Sequence, residues 1–251
     1  MTTEMVGELI AFEHMGRQIT VYLPKSYDLF PEGSFPAVFL QDGDFLFKEA
    51  ISAIENDVEE GITEPVIFIG IDSQLRNDEY TPWEMPALFK DWSFGGKGDD
   101  YLNYVYQDLV PYMKSSYRIS NEPKKLALGG VSLGGLISLY AMYKTELVFD
   151  NFILISASVW FKDFIHYMET SRLDRECKVY MYVGEQEGIH KTNAQKDMVP
   201  NSKRAYDILK EEIDGADQRV KFETDPLGTH NDTFFCNIFR VASGAYFPQN
   251  E

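Results

Sequence analysis

The residues best suited to chemistry lie in the segment "LALGGVSLGGLISLYAMYK", residues 126–144, where one serine stands between two pairs of glycines. The apolar run before Ser132 predicts a buried strand and the segment after it predicts a helix, so the serine lies on the turn between them. The run from Gly130 to Gly134 matches G-x-S-x-G, the pattern of a nucleophile elbow. Its glycines permit a tight, strained turn that lifts the serine hydroxyl above the sheet. The alternative is a glycine-rich or phosphate-binding turn with an incidental serine, but neither phosphate-loop template matches here.

A serine hydroxyl needs a general base to activate it, and the base needs an acid to orient it. His230 follows the last predicted strand in "TDPLGTHNDTFF", where a loop brings it over the strand ends, and it is the predicted base. Glu185 and Glu187 follow the strand "CKVYMYVG". Either carboxylate is suited to hold the histidine tautomer, and physical reasoning alone does not choose between them. His190 lies too close to these acids in the chain to face them, which favours a substrate-lining or solvent-exposed role.

Two backbone amides are predicted to bind the negative charge that develops on a substrate oxygen. The Leu133 amide starts a helix, where amides lack partners in the preceding turn. The second donor is expected in the loop "FLQDGDFLF" after the third strand, from the amide of Gly43 or of Asp44. An ordinary Asp-Gly turn is the alternative interpretation of this loop.

Three side chains are candidates to line a substrate pocket: Arg76, Tyr80 and Trp160. A fixed cation such as Arg76 near a strand end could bind a carboxylate, a catecholate or a negatively charged ferric complex. The alternative for Arg76 is a salt bridge to a nearby acid such as Asp78. The aromatic segment at residues 80–96 is suited to a lid, a pocket wall or a dimer contact, and we favour a segment folded down on the domain.

The elements that must position these residues alternate between strand patterns and helix patterns. Seven short runs are apolar almost throughout, as in strands that are buried on both faces of a parallel sheet: "ITVYLP", "FPAVFLQ", "EPVIFIGID", "KKLALGG", "DNFILISA", "CKVYMYVG" and "RVKFETD". Helical patterns lie between them, at about residues 45–59, 99–116, 133–146, 195–213 and 231–245. Pro111 predicts that the second of these helices kinks or ends early. The alternation predicts an open, mostly parallel sheet with helices on both faces, whose ligands bind beyond the carboxyl ends of the strands.

Length and charge narrow the class of protein. The chain has 251 residues, which fits one α/β domain over residues 1–251, and its 40 acidic and 23 basic residues give a net charge of −17. This charge disfavours nucleic acid and anionic membranes as partners. We find no apolar stretch long enough to span a membrane, and the acidic N-terminus predicts no secretory signal. Cys177 and Cys236 lack the spacing of a metal site, so we expect free thiols, no metal and a reducing compartment, with the cytoplasm as the default.

These residues together resemble the putative esterase (esterase D-like) family of α/β-hydrolases, over about residues 17–245. "VFLQDGDFLF" is similar to the family's oxyanion loop, "RNDEYTPW" to a segment of the branch near the siderophore trilactone esterases, and "GGVSLGGLISLYA" to the elbow. The resemblance implies an α/β-hydrolase fold with a mostly parallel central sheet of about eight strands. The family's acid follows a Gly-x-x-Asp/Glu pattern, which selects Glu187. Its histidine follows a Gly-x-His pattern, which His230 matches.

The resemblance also implies an activity. It indicates a serine carboxylic ester hydrolase that works without a cofactor, through an acyl-enzyme on Ser132. The implied substrate is a small-molecule ester such as a siderophore trilactone, free or carrying ferric iron. The alternatives are an acyltransferase with the same machinery and a non-catalytic binding module. Some siderophore esterases of the family resemble Ser-His dyads, so Glu187 is the member of the predicted triad that most needs a test. "NDTFF" stands where a tryptophan often follows the histidine, which leaves substrate preference open. The sequence is compatible with a monomer or a homodimer.

Overall fold

The computed structural model describes residues 7–88, 93–173 and 175–249. Its strands in chain order are β1 (Glu8–His14), β2 (Arg17–Leu23), β3 (Ala37–Gln41), β4 (Ile67–Ile71), β5 (Glu84–Met85), β6 (Phe94–Gly95), β7 (Leu126–Val131), β8 (Asn151–Ile155), β9 (Lys178–Gly184) and β10 (Val220–Asp225). Eight of them form one sheet in the order β1-β2-β4-β3-β7-β8-β9-β10, and β5 pairs with β6. In the large sheet β1 runs antiparallel to β2, and β2 to β4, while the other neighbours are parallel. The prediction of a mostly parallel sheet is confirmed.

The helices connect these strands and cover the sheet. In chain order they are α1 (Phe45–Lys48), α2 (Ile51–Glu59), α3 (Arg76–Glu79), α4 (Gly98–Asn103), α5 (Val110–Ser116), α6 (Leu133–Met142), α7 (Phe164–Thr170), α8 (Met198–Glu212), α9 (Ala216–Arg219) and α10 (Asp232–Tyr246). A π-helical segment, Tyr104–Leu109, joins α4 to α5, and 3-10 turns lie at Tyr27–Leu29, Pro123–Lys125 and Ala194–Asp197. Within the described ranges, no helix is both long and apolar enough to cross a membrane.

Two hydrophobic cores flank the sheet, because the side chains of a strand alternate between its faces. In β3, Phe39 packs into the core shared with α4 to α8, whereas Leu40 packs into the core shared with α1, α2 and α10. Both side chains are completely buried. Helices therefore lie on both faces, as the alternation of patterns predicts, and each core contributes to holding the carboxyl ends of the strands in place.

Two predicted helices differ in detail from those in the structure. The helical pattern at 45–59 divides into α1 and α2, with a break at residues 49 and 50. The helix that contains Pro111 does not end early, since α5 continues to Ser116. The π-helical segment stops two residues before Pro111, and its wider turn lies where the proline ring would otherwise meet the carbonyl of the preceding turn. The chain thus stays helical through the proline.

The described parts of the aromatic segment at 80–96 pack against the helices beside the sheet. Trp83 donates a hydrogen bond from its indole nitrogen to the Lys162 carbonyl at 2.9 Å and stacks on Phe164. Phe94 meets Trp160 edge to face, with ring centroids 6.3 Å apart. Residues 89–92 lie outside the described part of the chain. Within the described part of the segment, Phe94 therefore packs directly on Trp160, while Trp83 packs on the neighbouring helix α7.

Replacing Phe68 by alanine is expected to lower the free energy of unfolding by about 3–5 kcal/mol, because a large buried ring would leave a cavity. Phe68 in β4 is fully buried and packs on Phe47 of α1 and Phe239 of α10, each at 5.6 Å between ring centroids. Urea unfolding followed by circular dichroism measures the loss. Phe68→Leu, which keeps most of the volume, is the matched control and should lose less than half as much. A loss of under about 1 kcal/mol for the alanine variant would contradict this account of the core.

Candidate active site

Ser132 occupies a strained turn between β7 and α6. Its backbone φ is 55° and its ψ is −120°, in a region that residues other than glycine rarely adopt. Two backbone hydrogen bonds hold the turn to the end of β8 and to the segment after it: the Ser132 amide donates to the Ile155 carbonyl at 3.1 Å, and the Ser158 amide donates to the Ser132 carbonyl at 2.9 Å. The turn therefore depends on β8 as well as on its own residues.

Two glycines of the motif allow the helix to begin against the sheet. A Cβ atom on Gly134 would lie 2.7 Å from the Cβ of Gln41 in β3, and one on Gly130 would lie 2.8 Å from the carbonyl carbon of Gly134. Both distances are shorter than real Cβ contacts, so a side chain at either position would push α6 away from the strands. The G-x-S-x-G spacing thus follows from close packing at the end of β7.

His230 is held by a buried carboxylate. Its Nδ1 lies 2.7 Å from Oε2 of Glu187, whose side chain is only 1% exposed. The other carboxylate oxygen, Oε1, accepts hydrogen bonds from the Ser156 hydroxyl at 2.6 Å and from the Gly184 amide at 2.9 Å. A buried carboxylate is stable only when its oxygens are hydrogen bonded, and these contacts satisfy both of them. Glu187 can therefore fix the tautomer and the orientation of the imidazole.

The loops after β9 and β10 are joined by backbone hydrogen bonds, which brings His230 over Glu187. The Gln186 amide donates to the Gly228 carbonyl at 3.0 Å, and the Glu185 amide donates to the Asp225 carbonyl at 2.9 Å. The Glu185 side chain points elsewhere and accepts a hydrogen bond from the Thr224 hydroxyl at 2.7 Å. Of the two acids that the sequence proposed for this contact, Glu187 alone touches the histidine.

A small cavity of about 150 Å³ lies beside Ser132 and His230. Its walls are formed by Ser132, Trp160, Glu187, Gly188, Lys191, Gln195, Met198 and His230. The Ser132 Oγ lies 3.2 Å from the Ser158 Oγ, and among the described residues no hydrogen bond joins it to His230. The structure thus brings nucleophile and base candidates to one cavity, with the serine hydroxyl turned toward Ser158. Trp160 lies in this wall, as predicted for a pocket residue.

The sequence predicts an oxyanion donor in the loop after β3, from the amide of Gly43 or of Asp44. Among the described residues, only one of these two amides lacks a hydrogen-bond partner. Asp42 and Gly43 both have left-handed backbone conformations, with φ of 66° and 73°. The Gly43 amide donates to the Ile71 carbonyl at 3.0 Å, so Gly43 is the wrong choice for an oxyanion donor. The Asp44 amide has no hydrogen-bond partner among the described residues. Asp44 and the Leu133 amide at the start of α6 remain the two candidate donors.

Arg76 forms its ion pair with Asp42 and not with Asp78. Its Nε and its terminal nitrogen lie 2.5 and 2.9 Å from the two carboxylate oxygens of Asp42, a bidentate arrangement. Burial lowers the pKa of Arg76, but the hydrogen bonds and charge of Asp42 outweigh it, and the pKa is raised. Asp78 instead lies 3.5 Å from Lys97. The guanidinium therefore acts on the loop that carries Asp44.

Tyr80 supports the same loop from within the core. It is completely buried. Its hydroxyl accepts a hydrogen bond from the Asp42 amide at 3.2 Å and donates one to the Ile71 carbonyl at 3.2 Å. The prediction that Tyr80 lines a substrate pocket is wrong for this structure, because its ring has no exposed surface and its hydroxyl is already bonded on both sides.

Sequence reasoning missed two residues that shape the site. Ser156, with a φ of 47°, holds Glu187, and Asp42 anchors Arg76. Both directly follow a buried strand at its carboxyl end, and this position is the signal that could have singled them out. His190 is exposed and does not line the cavity. Within the described residues, no group of three or more His, Cys, Asp and Glu side chains is arranged to hold a metal ion.

Comparison with known proteins links this site to a family. The model of a family described as "Putative esterase" matches residues 13–245. The chain is 32% identical over 237 residues to the uncharacterized protein YbbA of Bacillus subtilis (strain 168), a match that covers 94% of each chain.

Three solved structures resemble the fold. An IroE-like serine hydrolase from Shewanella oneidensis has a TM-score of 0.77 at 19% identity, covering 96% of this chain and 79% of the other. The siderophore hydrolase EstB from Aspergillus nidulans has a TM-score of 0.73 at 18% identity, covering 97% and 95%. The enterobactin esterase FES from Shigella flexneri has a TM-score of 0.73 at 15% identity, covering 97% and 60%. These likenesses confirm the predicted α/β-hydrolase fold.

Replacing Glu187 by glutamine is expected to lower kcat for p-nitrophenyl butyrate by about 10²–10⁴-fold. The side-chain amide would place an N–H against Nδ1 of His230 while its oxygen stayed with Ser156 and Gly184, which imposes the tautomer that cannot accept a proton at Nε2. Glu185→Gln is the matched control and should change kcat less than about twofold. An equal loss of kcat in both variants, or no loss in Glu187→Gln, would show that Glu187 does not orient His230 for catalysis.

Replacing Arg76 by glutamine is expected to lower kcat by at least about tenfold with a smaller change in KM, because the loop that carries Asp44 loses its anchor. Asp42→Asn should act on the same ion pair, so the double variant should be no slower than the slower single variant. Lys97→Gln removes the neighbouring pair with Asp78 and serves as the control, with kcat within about twofold of wild type. If Arg76→Gln changed KM alone, Arg76 would not have the anchoring role. The same conclusion would follow if the losses of kcat in Arg76→Gln and Asp42→Asn were additive in the double variant.

Proposed function

Since the chain belongs to the putative esterase family and is an enzyme with ester hydrolase activity, we propose that it is a serine hydrolase that acts through an acyl-enzyme on Ser132. The observation that carries this proposal is the shared cavity of Ser132 and His230, in which Glu187 holds the histidine at 2.7 Å. Nucleophile, base and acid in this arrangement are the parts that covalent catalysis by serine requires.

In the proposed first step, His230 removes the proton of Ser132. The Oγ turns from Ser158 toward Nε2 of the histidine, and its lone pair attacks the ester carbonyl as the proton moves to Nε2. The N–H on the other ring nitrogen then faces the Glu187 carboxylate, whose negative charge stabilises the imidazolium. The buried position of this carboxylate strengthens the interaction, because little water screens it.

The negative charge on the carbonyl oxygen is bound by the amides of Leu133 and Asp44 in this proposal. Leu133 opens α6, where the free amides and the helix dipole favour an anion. The Asp44 amide lacks a partner among the described residues, so it can donate without breaking a hydrogen bond. Donors that are already oriented cost no reorganisation when the charge develops.

The tetrahedral intermediate then collapses, and the bond to the alcohol oxygen breaks. His230 returns its proton to that oxygen, the alcohol leaves, and the acyl group remains on Ser132. A water molecule, deprotonated by the same histidine, attacks the acyl-enzyme, and a second collapse releases the acid and restores the serine. Every proton that leaves a nucleophile is carried by His230, which explains why its orientation matters.

The substrate is a small-molecule ester, and we propose siderophore-type esters as the first class to test. The support is the likeness in fold to a siderophore hydrolase and an enterobactin esterase. The cavity of about 150 Å³ limits the contact to the part of such a molecule next to the scissile bond, and the rest would lie outside it. Hydrolysis of ferric and iron-free trilactones, compared with short acyl esters, measures this preference.

We also propose that the chain works as one catalytic domain in a reducing compartment such as the cytoplasm. Strands from residue 8 to residue 225 contribute to one sheet, which supports a single domain. Cys177 and Cys236 are both free thiols, and cysteines are usually kept in this form inside the cell.

Labelling with a fluorophosphonate, read by intact mass spectrometry, tests the nucleophile. Wild-type protein should gain one adduct, and Ser132→Ala and His230→Ala should lose both the adduct and the turnover of p-nitrophenyl butyrate. Ser158→Ala removes the nearest other hydroxyl and should keep the adduct, while His190→Ala removes an exposed histidine and should keep both adduct and turnover. An adduct that persists in Ser132→Ala, or a wild type that neither reacts nor hydrolyses any ester, would refute the proposal.

A further inference from the structure

One wall of the cavity beside Ser132 carries a cation, Lys191, that has no acidic partner among the described residues. Lys191 lines this cavity, and in the described part of the chain its ammonium group forms no salt bridge or hydrogen bond. Other described lysines, such as Lys196, also lack a salt bridge, but Lys196 does not line the cavity, whereas Lys191 does. A charge left unpaired at the edge of a reactive cavity is available to a ligand.

The segment that carries Lys191 is held in place by its backbone. The Lys191 amide donates to the Gly188 carbonyl at 2.9 Å, directly after the turn that carries Glu187. Gly188 has a φ of +80°, and a Cβ there would lie 2.5 Å from the Gln195 carbonyl oxygen, so the turn packs tightly on the next segment. The Asn193 side chain accepts a hydrogen bond from the Gln195 amide at 3.0 Å. Lys191 thus lies on an ordered wall.

Gln195 adds a second polar group to the same wall. Its Oε1 is buried and has no hydrogen-bond partner among the described residues. A buried polar atom without a partner is costly, and a ligand that hydrogen-bonds this amide would remove the cost. The two ends of a glutamine amide exchange by a half turn of the side chain, so the group can donate N–H bonds to an anion held by Lys191.

Two apolar side chains complete the wall. Trp160 and Met198 line the cavity and are 7% and 4% exposed, respectively. The Asn201 side chain donates to the Val159 carbonyl at 3.1 Å, which ties α8, the helix that begins at Met198, to the residue before Trp160. A short hydrocarbon stem could pack against these two apolar residues, with a charged group at its end directed toward the polar residues that line the same cavity.

We infer that the cavity is selective for esters that carry a small anionic group, such as a carboxylate or a sulfonate, a short distance from the scissile bond, with Lys191 as the residue that determines this selectivity. The inference rests on the proposed function, since it describes the substrate of the same site. The volume of about 150 Å³ restricts the group to a compact one. The net charge of −17 repels anions at long range, so Lys191 acts locally, over distances shorter than the screening length of salt.

The test compares anionic and neutral esters of similar size in wild type, Lys191→Met and Lys196→Met. For charge on the acyl side the pair is p-nitrophenyl sulfopropionate and p-nitrophenyl butyrate, and on the alcohol side p-acetoxybenzoate and p-acetoxybenzamide. Lys196 is the matched control because it lies in the same segment, is exposed and does not line the cavity. The measured quantity is the ratio of kcat/KM for the anionic ester to that for its neutral partner.

The ratio should fall by about tenfold in Lys191→Met for at least one of the two pairs, and by less than about twofold in Lys196→Met. The affected pair identifies the side of the ester that enters the cavity. High salt screens the charge of Lys191, so it should reduce the difference in this ratio of kcat/KM values between wild type and Lys191→Met. Equal ratios in all three proteins for both pairs, with neutral esters still hydrolysed, would overturn the inference and leave the proposed function intact. Failure of the proposed function would show differently, as absence of fluorophosphonate labelling and of all ester turnover in wild type.

Discussion

A single buried carboxylate joins the loops that follow three neighbouring strands of the sheet. Glu187 stands after β9, and its oxygens contact the Ser156 hydroxyl after β8, the Gly184 amide at the end of β9 and the His230 ring after β10. Removing a carboxylate from water is costly unless its oxygens are hydrogen bonded. The three loops must therefore keep their relative positions, and the placement of the histidine over the cavity follows from this requirement.

On the other side of Ser132, the ion pair between Arg76 and Asp42 holds the loop after β3 in place. Asp42 adopts a left-handed backbone conformation, which is strained for a residue with a side chain, and it persists because Arg76 and Tyr80 bind its carboxylate and its amide. In the sheet, β7 lies between β3 and β8. Ser132 at the end of β7 is thus flanked by two anchored groups of loops, one suited to bind an oxyanion and the other to move a proton.

Parallel pairing from β4 to β10 makes this arrangement possible, because the carboxyl ends of parallel strands meet at one edge of the sheet. The loops after β3, β4, β7, β8, β9 and β10 then each lie within hydrogen-bond distance of a neighbouring loop. The same geometry places two carboxylates at this edge of the sheet. Arg76 neutralises Asp42, and the Ser156 hydroxyl and the Gly184 amide donate hydrogen bonds to Glu187. The positive charge of Lys191 in the cavity wall contrasts with these anchors, and we therefore assign to it the selectivity between one ester and another.

Local sequence patterns determined the strand-helix alternation, the mostly parallel sheet and the elbow at Ser132, because each depends on residues that are close together in the chain. The glycines around Ser132 predict a tight turn without reference to any other strand. The family pattern in the sequence already favours Glu187 over Glu185, and the structure adds the contact with His230. Only the tertiary structure shows that the Gly43 amide donates to the Ile71 carbonyl, and that the Asp44 amide has no hydrogen-bond partner among the described residues. It alone also shows that Arg76 pairs with Asp42 in place of Asp78. These choices depend on contacts between residues tens of positions apart, and no local pattern encodes the distances that such contacts require.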